Sequence, residues 1–108
     1  MNNGLYKVTF RTPLGSGAGV IVLNEGRLLG GDSMISYVGN YVQSGDKFTA
    51  TIETTTHTAA PGMRSVLGVP DALILLAGSA SGDSATMQAT SPNAPNIKFQ
   101  ATLTFLTA

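Results

Sequence analysis

The sequence contains no cysteine and no tryptophan. Without cysteine there is no disulfide framework, no thiolate metal site, no redox centre and no cysteine nucleophile, and nothing marks an oxidising compartment. Charge is also scarce. Charged residues make up 11% of the chain, and six basic against six acidic residues give a net charge of +0, where globular chains carry about 25%. No basic stripe can track phosphates and no indole can stack on bases, so direct contact with nucleic acid is not expected. Long apolar runs are missing as well. The longest, Ala72 to Ala77, falls far short of the ~18 residues that span a bilayer, and Met1 to Lys7 show no apolar segment behind a basic stretch. The expected setting is the cytoplasm, away from membranes.

What is present points to strands. The 108 residues suit one domain, and thirteen threonines supply an uncharged polar surface. Glycine is abundant and β-branched residues are many, while no long stretch repeats at 3.6 residues. Asn24-Glu25-Gly26, Ser44-Gly45-Asp46 and Ser81-Gly82-Asp83 place a glycine among small polar residues between apolar stretches, which is hairpin chemistry. Apolar and polar residues alternate most clearly near the C-terminus. There Ile97, Phe99, Ala101, Leu103 and Phe105 share one face, and Lys98, Gln100, Thr102 and Thr104 the other.

The same period places Phe48, Ala50 and Ile52 against Thr49, Thr51 and Glu53, and Tyr6, Val8 and Phe10 against Leu5, Lys7, Thr9 and Arg11. Strands are expected near 4–12, 17–24, 26–31, 34–43, 46–57, 72–80, 84–90 and 97–106. Eight sequential strands with one apolar face protect their edges by closing, so the expected fold is all-β: a single domain, 1–108, forming an eight-stranded antiparallel up-and-down barrel. A two-sheet sandwich is the alternative. Between Pro61 and Pro70, Met63 to Leu67 would form one short helical turn at an end of the barrel.

Chemistry-bearing patterns are few. Gly15-Ser16-Gly17-Ala18-Gly19 suggests a phosphate loop, but Val20 stands where the third glycine of a dinucleotide fingerprint belongs, and the following Val20-Ile21-Val22-Leu23 reads as strand rather than helix. His57 is the only histidine. It falls on the water-facing side of its strand and has no evident orienting partner. The acids never occur at the spacing of calcium or zinc ligands, so no metal and no cofactor are expected, and the chain reads as a non-enzyme. Gly30-Gly31-Asp32 reads as structural: two glycines and an Asx-turn former make a turn or bulge that the aspartate closes. Tyr37 and Tyr41 flank Gly39 on one face, an arrangement able to lay a ring over glycine.

Leu73-Ile74-Leu75-Leu76, within the run 72–77, does not alternate at all. As a strand it is apolar on both faces, so either Leu73 with Leu75 or Ile74 with Leu76 points outward and needs a cover. A second copy of the chain is the simplest cover, which implies a homodimer; a lid from residues 58–71 is the alternative.

Gly17-x-Gly19-Val20, Gly26, Gly30-Gly31-Asp32, Tyr37 and Gly39 together resemble the GrlR family, small bacterial proteins named for a negative regulator of type III secretion genes. The likeness covers residues 4–43 and thereafter only the strand plan. It implies a lipocalin-like eight-stranded barrel, a dimer, and sequestration of a transcriptional regulator as partner. In the virulence branch an acidic run occupies the hairpin that corresponds to Gln43, Ser44, Gly45, Asp46 and Lys47; this chain has one acid and one base there. A partner at this hairpin would be recognised by shape and hydrogen bonds rather than by field. The alternative function is carriage of a small apolar ligand, since eight strands can enclose one.

Overall fold

Two-residue turns at 25–26, 45–46 and 82–83 bring the strands that follow them back beside the strands before them. The computed structural model describes residues 1–13, 15–58 and 71–108. Its strands are β1 (Gly4–Thr12), β2 (Gly15–Asn24), β3 (Arg27–Gly31), β4 (Ile35–Ser44), β5 (Lys47–Thr56), β6 (Ala72–Ser81), β7 (Ser84–Thr90) and β8 (Phe99–Thr107). Each strand pairs antiparallel with the next, and β8 returns to β1, closing an up-and-down barrel. The expected turn over Met63 to Leu67 and most of the expected lid lie outside the described residues. Among those described, no helix is long and apolar enough to cross a membrane.

The expected strands differ from these mainly at β2, which begins at Gly15 rather than Gly17, and at β8, which begins at Phe99 rather than Ile97. Pro92 and Pro95 interrupt residues 91–98. Main-chain bonds from Ala94 to Ser91 (3.1 Å) and from Ile97 to Ala94 (3.0 Å) hold that segment in successive turns.

Period-two patterning decides what faces inward. In β5, Phe48, Ala50 and Ile52 are buried while Thr49, Thr51 and Glu53 are exposed, and β7 buries Ala85, Met87 and Ala89 in the same way. In β8, Phe99, Ala101 and Leu103 are buried; Phe105, expected to be buried, is half-buried, and Thr102, expected to be exposed, is half-buried too. Phe105 lies near the strand's end, where its ring packs edge-on against Tyr6 at 5.3 Å.

Three inward glycines shape the wall. A Cβ on Gly30, Gly39 or Gly78 would lie 2.1, 2.0 or 2.0 Å from a carbonyl oxygen of a neighbouring strand. Each stands between two large inward neighbours: Gly30 between Ile21 and Tyr37, Gly39 between Leu28 and Ile52, Gly78 between Phe48 and Met87. The missing side chains let the strands coil closely enough to close the ring and leave room for the large neighbours.

Candidate binding cavity

The two ends of the barrel differ. The strand ends Thr12, Gly15, Gly31, Ile35, Thr56, Ala72, Thr90 and Phe99 lie at one end; the two-residue hairpin turns 24–27, 44–47 and 81–84 lie at the other. At the hairpin end Tyr6, Leu23 and Phe48 are fully buried, Tyr41 stacks on Phe48 at 5.5 Å, and Phe105 meets Tyr6. Those rings fill the space. Toward the other end the interior is hollow, with a cavity of about 310 Å³. Phe48 reaches its floor, and Phe10, Ile21, Ile52, Phe99 and Leu103 form much of its wall. Phe10 packs edge-on against both Tyr37 (5.6 Å) and Phe99 (6.3 Å), which fixes three rings around the upper wall.

Polar groups converge at the same end. Asp32 leaves β3 just after Gly31, and its Oδ1 accepts the main-chain amides of Met34 (2.9 Å) and Ile35 (2.7 Å). Its own amide donates to the Ile35 carbonyl at 2.9 Å, so the aspartate closes the β3–β4 turn as the Gly-Gly-Asp pattern predicts. The Tyr37 hydroxyl donates to Asp32 Oδ2. Burial, and then this bond to a carboxylate, raise the Tyr37 phenol well above its ordinary value. Ser16, Ser33 and Thr54 complete the polar rim among the described residues.

His57 is exposed, as its parity requires, but it is not without partners. Its Nε2 bonds the Asp32 carbonyl at 3.0 Å, so that nitrogen carries the hydrogen, and Nδ1 meets Thr58 Oγ1 at 2.7 Å. The main-chain amides of His57 and Thr58 both donate to the Met34 carbonyl, at 2.9 and 3.3 Å. The residue clasps the Asp32 turn to the end of β5. Its ring meets a main-chain carbonyl and a threonine hydroxyl.

The other sequence-selected residues fall into separate places. Gly17 lines the cavity. Gly19 lies beneath the Tyr37 ring, with the space for a Cβ 3.1 Å from the hydroxyl, so the glycine that Tyr37 covers is Gly19 rather than Gly39. Gly26 makes the β2–β3 turn with φ of 83°. Gln43, Ser44, Gly45, Asp46 and Lys47 are all exposed, at the filled end of the barrel, away from the cavity. Of the four residues expected at a dimer interface, Ile74 and Leu76 are each only 6% exposed and line the cavity, because their parity is that of Ile52 and Ala50 across the β5–β6 ladder. They are removed from that interface; Leu73 and Leu75 point outward.

One surface feature was not anticipated. Leu5, Val22, Leu29 and Val38 stand side by side on the outer wall through the β1–β2, β2–β3 and β3–β4 registers, with Val20 nearby. Val22, Leu29 and Val38 are exposed, and the row ends at Glu53. Its signal was present in Val20-Ile21-Val22-Leu23, which fails to alternate just as 72–77 does.

No protein-family model matches the chain, and no curated protein matches it at a significant level.

Proposed function

We propose that the chain is a non-enzymatic, cytoplasmic binding protein that holds a small, largely apolar molecule inside its barrel. The observation that carries this reading is the cavity of about 310 Å³ with aromatic and aliphatic walls and a polar rim at one end. Ligand sites have this character: apolar enclosure for affinity, and a few placed polar groups for orientation. The volume lies at the lower end of the ~300–1,000 Å³ common for such sites. Ala101, 1% exposed, stands on the wall between Phe10 and Met87. Ala101→Leu places added carbons in the void. Titration with decanol, followed through the methyl resonances of Ile21 and Ile52, is expected to show saturable binding that Ala101→Leu weakens by about tenfold or more with the fold intact. Absence of saturable shifts in the unmodified chain, together with no co-purifying small molecule in native mass spectrometry, overturns the reading.

A second reading is favoured by the outer wall. The row Leu5, Val22, Leu29 and Val38 is a continuous apolar strip across four strands of the outer wall, the kind of feature that marks a protein contact. Joined to the GrlR-like glycine pattern, it supports a homodimeric regulator that occupies the surface of a transcriptional regulator. Leu29→Glu is the discriminating variant. A partner retained by the unmodified chain and lost by Leu29→Glu supports regulation through the wall, and equal retention by both removes this strip from the argument.

A further inference from the structure

We propose that the molecule held in the barrel carries a cationic amine at one end, seated against Asp32, on an apolar body that brings it to about a dozen non-hydrogen atoms. This rests on the reading of the cavity as a ligand site. The size follows from volume, since a cavity of ~150 Å³ holds a benzene ring and the barrel holds about 310 Å³.

The head group follows from charge and position. Asp32 and Tyr37 are the two ionisable side chains on the described lining, and no lysine, arginine or histidine joins them there. His57 faces the Asp32 main-chain carbonyl from outside the lining. Among the described residues the carboxylate's partners are two main-chain amides and one phenol. All three are dipoles, so its charge meets no cation on this lining. A carboxylate offers about four acceptor positions; three are taken, which leaves one directed contact for a ligand. An ammonium that arrives with its chain in the apolar space meets a fixed opposite charge at the cavity's rim. A fatty carboxylate of the same length meets a like charge, and an alcohol falls between them.

Three ligands with one ten-carbon chain test the assignment: decylammonium, decanol and decanoate, titrated calorimetrically below their micelle-forming concentrations. Decylammonium is expected to bind about tenfold or more tighter than decanol, a step of ~1.4 kcal/mol, with decanoate the weakest. Asp32→Asn keeps an acceptor for the turn amides and is expected to bring the three within about threefold. Decylammonium no tighter than decanol, or decanoate the tightest, overturns the head-group assignment while leaving the cavity reading standing. Binding by none of the three overturns both. If Asp32→Asn fails to fold, the order in the unmodified chain decides alone.

Discussion

Tyr37 shows how one buried hydroxyl ties stability to pH. It is 5% exposed, donates to Asp32 Oδ2, and keeps its proton well above the ordinary 10.0, through burial first and the carboxylate second. The unfolded chain releases that proton near the ordinary value. Above about pH 10 the native state therefore binds more protons than the unfolded state, and stability falls as pH rises. Below that pH the contribution is fully present. Tyr37→Phe is expected to remove part of the alkaline decline; the rest belongs to Tyr6, whose phenol burial also raises. At neutral pH the same variant leaves Asp32 Oδ2 without its phenol donor and is expected to cost about 1–3 kcal/mol. Urea unfolding at neutral pH and near pH 10.5 measures both effects. An alkaline decline equal to that of the unmodified chain would contradict the assignment.

The strands were legible because their periods are clean. The β1 and β7 bounds coincide with expectation, and the alternation of Phe48, Ala50 and Ile52 with threonines already says which side of β5 meets the core. Ile97 misled because it continues the parity of Phe99, and parity does not distinguish a strand from the turn that feeds it. Glycines were legible as punctuation only; which of them another backbone crowds depends on register, a property of two strands together. Gly39 and Gly45 separate the two cases. A Cβ at Gly39 would lie 2.0 Å from the Thr51 carbonyl oxygen, whereas Gly45 has φ of 62° and nothing within 4 Å. Gly45→Ala is expected to cost about 1–2 kcal/mol of backbone strain. Gly39→Ala forces the β4–β5 ladder apart and is expected to cost about 3 kcal/mol or more, or to prevent closure. Thermal melts of the two variants check this, and similar losses would show that the crowding at Gly39 relaxes easily.

At the scale of the whole molecule, the Asp32 corner could be read from Gly-Gly-Asp, but the cavity could not. A hollow is decided by the level at which each inward ring crosses the barrel, and Tyr6 meets Phe105 only because β1 and β8 pair. Facing is clearest in the run 72–77, where Leu75 is 45% exposed and Ile74 is 6% exposed. Leu75→Lys is expected to fold and, if that face joins two copies, to scatter light as a monomer where the unmodified chain scatters as a dimer. Ile74→Lys buries an unpaired charge and is expected to lose about 3 kcal/mol or more. Monomeric scattering by the unmodified chain at high micromolar concentration would refute the dimer. The β1–β8 ladder carries a kinetic consequence of its own. Seven ladders join strands adjacent in sequence, while this one joins opposite ends of the chain. Forming it imposes the largest loop-closure entropy, so the meander assembles first and the seam zips last. Until it does, the molecule is an open sheet with two bare edges, and in a crowded solution the seam of one chain competes with the edges of its neighbours.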